Sequence, residues 1–131
     1  MKKYPLQLNT YFYIHNHIEP NPRFDINEEP ALNFHISALI QEDGKNLNCA
    51  VNVSLNQDKK GNFPYTGVIR NYGVFTPEES LSKEEAIALV KTTGVNILVG
   101  AIREKLMTET SSGPFPALFM PPVDISKIEF N

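Results

Sequence analysis

Between Val95 and Ile102 the only polar side chain is that of Asn96. A surface helix shows one apolar stripe, whereas a helix that is apolar on every side is covered on every side. This run therefore demands a layer beneath it and a second layer above. Its start is marked upstream by Ser82-Lys83-Glu84-Glu85, a capping box in which Ser82 accepts from the Glu85 N–H and Glu85 reaches back. Such a cap stabilises a helix by about 1 kcal/mol. Apolar positions continue through Ile87, Val90, Ile97, Leu98, Ala101, Ile102 and Leu106. Thr92-Thr93-Gly94 is a weak point, where β-branching and glycine lower helix propensity, and a kink is expected there. The helix should end near Thr108, before Ser111-Ser112-Gly113-Pro114. From 83 to 108 it would be roughly 39 Å long, about the full width of a domain of this size.

The layer beneath is legible as strands. Residues 4–19 carry Leu6, Leu8, Tyr11, Phe12, Tyr13, Ile14 and Ile18, a first strand with an irregular point near Asn9. Glu19-Pro20-Asn21-Pro22 stops it, because proline removes ladder donors. The second strand, 31–41, places Phe34, Ile36, Ala38 and Ile40 on one face and His35, Ser37 and Leu39 on the other. The turn 41–46 contains Asp43-Gly44, a strong hairpin signal. The third strand, 47–55, alternates Leu47, Cys49, Val51, Val53 and Leu55 against Asn48, Ala50, Asn52 and Ser54, so one face is buried and one is not. After Asp58-Lys59-Lys60-Gly61-Asn62, a fourth strand runs from about Tyr65 to Phe75. Its Gly67 and Gly73 suggest a bulge or a close approach by another element. Short turns between consecutive strands imply an antiparallel meander.

A four-stranded sheet covers one side of the helix. For the other, a helix-to-helix subunit interface is expected, with Gly94, Gly100 and Ala101 allowing close approach. The alternative is that 111–131 folds over the helix in a monomer. That segment is stiffened by Pro114, Pro116, Pro121 and Pro122, which limit the entropy it loses on ordering. It displays Phe115, Leu118, Phe119 and Met120, which can lid the core, line a groove, or do both; methionine adapts to varied ligands. Tyr65, Tyr72 and Phe75 on the fourth strand are the candidates for the opposite wall.

The remaining sequence excludes more than it offers. The chain has 131 residues and a formal net charge of -3. One domain spanning 1–131 is expected, long enough to fold without disulfides or metal. The charge lacks the basic footprint of a nucleic-acid binder. One cysteine, Cys49, fits a reducing compartment. On the apolar face of its strand, it reads as an inert thiol. Met1-Lys2-Lys3 opens as a signal peptide would, but Pro5, Gln7, Asn9 and Thr10 interrupt any apolar region. With no long apolar window, neither signal sequence nor membrane insertion is expected, and the location read is cytoplasmic. His15-Asn16-His17 puts two imidazoles on one strand face, with His35 and Asp25 as conceivable additions. A metal site takes three or four ligands, and surface or interface histidines are the simpler reading. Arg103 and Glu104 are adjacent, so they point apart and read as an ion-pairing rather than catalytic pair. No phosphate loop, nucleophile elbow or acid/base pair is present, so no enzyme activity and no cofactor are expected.

Asn96-Ile97-Leu98, four further positions, then Arg103-Glu104 resembles the long helix of SecB, the bacterial protein-export chaperone. Gly113-x-Phe115-Pro116-x-Leu118-x-x-x-Pro122-Val123 resembles the segment that follows that helix, at the same spacing. Gly73-Val74-Phe75 resembles the end of the family's fourth strand. The resemblance implies a SecB-like α+β fold: a four-stranded antiparallel sheet, one long kinked helix packed on it, and a proline-rich crossover. It implies a homotetramer built as a dimer of dimers. Gly94, Ile97, Leu98, Gly100, Ala101, Arg103 and Glu104 would then lie in a subunit interface. It also implies a hydrophobic groove for unfolded or extended polypeptides, lined by Tyr65, Tyr72, Phe75, Phe115, Leu118, Phe119, Met120 and Val123. The implied function is an ATP-independent chaperone linked to protein export; the alternative is a dedicated adaptor or antitoxin-associated protein serving one partner. SecB continues past Pro-Val into a second helix and a tail that docks on the export ATPase. Here Asp124–Asn131 follow, and Val68 stands where the best-known member carries an acid. Docking on that ATPase is therefore not expected.

Overall fold

The computed structural model describes residues 5–131. The expected first-strand residue Tyr4 and the Met1-Lys2-Lys3 start lie outside the described residues. Four long strands form as the alternation requires: β1 (Leu6–Pro20), β2 (Phe34–Asp43), β3 (Asn46–Leu55) and β4 (Tyr65–Pro77). The hairpins β2–β3 and β3–β4 follow their turn signals, and Gly44 takes the positive φ of 60° that the Asp-Gly pair foretells.

Two features depart from a four-stranded meander. The 21–33 connection carries the chain across, so β1 pairs with β4 rather than with β2. A fifth strand, β5 (Glu129–Phe130), adds to the free edge of β2 in parallel. The sheet order is β1-β4-β3-β2-β5, five strands of mixed orientation rather than four antiparallel ones. The connection is pinned by the side chain of Asn62: Oδ1 accepts from the Asp25 N–H at 2.9 Å and Nδ2 donates to the Asp25 carbonyl at 2.8 Å.

β1 changes phase twice against β4. The pairing shifts between Leu8 and Thr10 and again between Tyr13 and His15, leaving Asn9 and Ile14 as bulge residues. Each bulge exchanges the two faces for everything beyond it. Between the bulges, Tyr11 and Tyr13 share a face with Gly73 and Asn71, while Phe12 lies opposite Tyr72. Gly67 is glycine for a steric reason: a Cβ there would collide with the His17 carbonyl of β1.

Helix α1 (Lys83–Leu89) opens on the capping box, both bonds present, at 3.0 and 3.1 Å. Bonds from the Ser82 backbone N–H and side chain hold the Glu85 carboxyl below the usual carboxylate range. The weak point at Thr92-Thr93-Gly94 becomes a π-helical turn, Val90–Gly94, in which the Val95 N–H reaches the Val90 carbonyl five residues back. Helix α2 (Val95–Ser111) then runs three residues beyond the expected end. Together the helical run Lys83–Ser111 has 29 residues and is long and apolar enough to cross a membrane. This corrects the expectation that no such window exists. In this fold its inner stripe is core: Val95, Leu98, Val99, Ile102 and Leu106 bury against Val51, Ile69 and Phe75 of the sheet.

Two polar clamps fix the helix on the sheet. Asn71 Nδ2 donates to the Leu98 carbonyl at 3.0 Å, and the Tyr13 hydroxyl donates to the Ala101 carbonyl at 3.1 Å. Burial raises the Tyr13 pKa, which keeps the donor in place. The Asn71 side chain is fully buried, and its Oδ1 has no partner. Among the described residues, no helix packs on the opposite face of the sheet. Its register sets His17, Val68, Ser54 and His35 in one row and Phe12, Tyr72, Ala50 and Leu39 in another.

Cys49 is fully buried, and desolvation pushes its thiol up to about 12. Native protein is accordingly expected to resist a thiol-specific reagent at pH 8, and to react with one equivalent once denatured. Prompt labelling of the native chain would show that the third strand opens.

Candidate functional site

Residues 113–123 leave α2 and run back along it, held by three polar anchors. The Tyr65 hydroxyl accepts from the Phe115 N–H at 3.1 Å. Thr110 Oγ1 accepts from the Leu118 N–H at 2.8 Å. Arg103 Nε donates to the Met120 carbonyl at 3.1 Å. Between the anchors the chain is extended and alternates: Leu118 and Met120 point in and are buried, while Phe119 points out and is 68% exposed. Gly113 must lack a side chain because a Cβ would strike the Tyr65 hydroxyl. The Phe115 ring is half-buried and packs edge-on against Phe24 and Tyr65, with centroids 4.8 and 5.7 Å away. Val123 is half-buried against the core.

Tyr65→Phe is expected to destabilise the protein by about 1–3 kcal/mol, because the Phe115 N–H loses its acceptor in a partly buried setting. Urea denaturation monitored by circular dichroism checks this; an unchanged midpoint would mean that the anchor is not holding the segment.

Phe119 and Met120 form one wall of a depression of about 260 Å³. The other wall is α2, through Gly100, Arg103, Glu104 and Met107. At Gly100 an added Cβ would meet nothing within 4 Å, so the floor is open. Ile97 (44% exposed), Met107 (37%) and Phe119 (68%) make the surroundings apolar. Three larger depressions, about 470, 540 and 410 Å³, bring in several charged groups each: Glu42, Lys45, Glu78 and Lys83 in the first, Glu19, Arg23 and Lys59 in the second, and Glu42, Lys83 and Lys91 beside half-buried Ile40, Ile87 and Phe130 in the third. The large exposed apolar side chains Met107 and Phe119 line the smallest of these four and none lines the others, so it is the better candidate for holding apolar groups.

The structure redistributes the expected residues. Tyr65 and Phe75 are fully enclosed in the core, and Tyr72 lies on the opposite face of the sheet, stacked on Phe12 at 5.4 Å. None of the three faces the depression; α2 supplies that wall instead. Of the proposed interface set, Gly94 lies over Phe75 and Leu98 is core. Ile97, Gly100 and Glu104 face outward, Ala101 is half-buried, and Arg103 is tied to the segment. Met107 went unread although it lies seven residues after Gly100, on the same helix stripe. Within this segment Leu118 and Met120 cover the core while Phe119 stands free.

The histidines stay apart from this site. His15 and His17 lie on the bare sheet face with ring centroids 6.4 Å apart; His17 Nε2 is 2.7 Å from Glu19 and His35 Nε2 is 3.1 Å from Glu129. Asp25 is held in the 21–33 connection. Among the described residues, no group of three or more His, Cys, Asp or Glu is placed to hold a metal ion.

No family model matches the chain, and no curated protein matches it in sequence. Among solved structures the fold is similar to the SecB-like chaperone Rv1957 of Mycobacterium tuberculosis, solved in complex with a ChAD peptide from the Rv1956 HigA1 antitoxin. The TM-score is 0.74 over 92% of this chain and 91% of that one, at 16% identity. A protein of unknown function from Streptococcus agalactiae superposes with a TM-score of 0.43 over 89% of this chain and 97% of that one, also at 16% identity. The first likeness is one of fold: the chain has a SecB-like architecture.

Proposed function

We propose that the chain is an ATP-independent polypeptide-binding protein that holds extended, apolar segments of other proteins between α2 and residues 113–123. The observation that carries this is the exposed pair Met107 and Phe119 lining an open depression, with exposed Ile97 one turn before its Gly100 floor, in a SecB-like fold. Exposed apolar side chains grouped in this way mark a place where another chain sits. The prolines fix the wall beforehand, so little entropy is lost when a ligand arrives.

In this reading the protein is not an enzyme, needs no cofactor, works as one domain in the cytoplasm and assembles as a homo-oligomer, a tetramer in the full form of the proposal. The long edge of β1, which has no strand neighbour among the described residues and where Tyr11, Phe12 and Ile14 are about half exposed, supports the assembly. A dedicated adaptor for one protein partner is the second reading. The small volume of the depression and the antitoxin peptide held by Rv1957 favour it.

Aggregation of an unfolded model protein, followed by light scattering at stoichiometric ratios, tests the first reading: suppression is expected. A pull-down that returns a single partner, with no suppression, supports the adaptor. Neither suppression nor any partner would sink both.

A further inference from the structure

Arg103 stands in the wall of the depression with most of its guanidinium unused. Nε donates to the Met120 carbonyl. Ion pairs among the described residues engage His17, His35, Lys83 and Lys105, and none reaches Arg103. The cation–ring contacts belong to Lys91 and Lys105. The neighbouring Glu104 does not close on it, because adjacent helical residues diverge by about 100°. Arg103 is half-buried, with Nε tied to the Met120 carbonyl, so the side chain is held in place while its remaining N–H donors stay open to an incoming acceptor.

We propose that Arg103 is the specificity-determining residue of this groove and binds the carboxylate of an Asp or Glu in the held segment. The inference rests on the groove reading and narrows it. The guanidinium fork matches a carboxylate in two parallel bonds, which a lone carbonyl cannot offer. The open floor at Gly100 lies one helical turn away, about 4.5 Å along α2. Side chains two apart in an extended chain point the same way, roughly 6.6 Å from each other. A large apolar side chain over Gly100 therefore sets the residue two positions along against Arg103. The ligand class is an extended segment with an apolar-x-acidic pattern, chosen by one local cation on a chain whose net charge is -3.

Fluorescence anisotropy of the full chain with labelled extended peptides carrying Phe-Ser-Glu, Phe-Ser-Gln or Phe-Ser-Lys tests this. Wild type is expected to prefer the Glu peptide over the Gln peptide by about tenfold, with the Lys peptide weakest. Arg103→Gln is expected to bind the Glu and Gln peptides alike and, having lost the anchor on the Met120 carbonyl, to melt below wild type; Arg103→Lys keeps part of the preference. Equal binding of all three peptides by wild type overturns the inference and leaves the groove reading standing. Binding of none of them overturns the groove reading itself. A preference that survives in Arg103→Gln, joined to a lower mass by light scattering, assigns the counter-charge to a second copy's carboxylate and overturns the inference as well. If Arg103→Gln fails to fold, the wild-type series and Arg103→Lys decide.

Discussion

Asn71→Asp is expected to be the most damaging single-atom exchange in the chain, and its damage should depend on pH. The side chain is fully buried under α2, with one amide hydrogen on the Leu98 carbonyl and Oδ1 unpartnered. An ionised carboxylate there faces a carbonyl oxygen with no cation in reach. The introduced carboxyl therefore stays protonated in the folded state, where its O–H takes over the bond to Leu98. Its folded pKa lies above its unfolded value of about 3.9. A raised carboxyl pKa leaves stability intact below the unfolded pKa and removes it as pH rises. The gap to wild type should be small near pH 4 and widen by about 1.4 kcal/mol per pH unit, reaching roughly 4 kcal/mol at pH 7. Asn71→Leu should be close to neutral, because it removes the unpartnered oxygen together with the donor. Urea melts at several pH values check both; a pH-independent loss in Asn71→Asp would mean that water reaches the site.

Phe119→Asp should have the largest effect on binding and almost none on stability. The ring is mostly exposed, and surface substitutions away from packed contacts usually change stability by less than about 0.5 kcal/mol. Losing a large apolar contact and adding a charge should weaken peptide binding by at least about tenfold and remove suppression of aggregation. A variant that binds and suppresses as wild type does would refute the groove. Met107→Asp on the facing wall should behave alike, whereas Tyr72→Asp, on the far side of the sheet, should leave peptide affinity unchanged.

The contrast with Tyr72 shows how much of the site was legible. From Tyr65 to Phe75 odd-numbered residues face the helix and even-numbered ones face away, so strict alternation already separates Tyr72 from Tyr65 and Phe75. On the helix the problem was reversed: with Ile97, Leu98, Val99, Ala101 and Ile102 all apolar, no polar stripe reveals which side faces in. The sheet settles it through Asn71 and Tyr13, residues far away in sequence. β1 conceals its phase in the apolar run Tyr11-Phe12-Tyr13-Ile14, and only the bulge near Asn9 left a polar mark. Pairing of β1 with β4 was beyond reach because a connection of thirteen residues, 21–33, can return the chain to either edge. Two-residue β5 is too short for any periodicity. The strands, the capped helix start and the weak point at 92–94 were legible because each rests on neighbours in sequence.

The π turn at Val90–Gly94 has a consequence for how this gene can change length. Val90 and Val95 are both fully buried, yet five residues of regular α-helix would set them roughly 140° apart. The wider turn acts as a one-residue insertion that brings the two stretches back into step. Removing one codon there would restore an unbroken helix in which the two valines, then four residues apart, differ by about 40° and stay on the same buried face. The extra residue is thus absorbed without turning either stretch, and loss of exposed Thr92 or Thr93 is a change of length that this helix can take while Ala86 keeps facing the core.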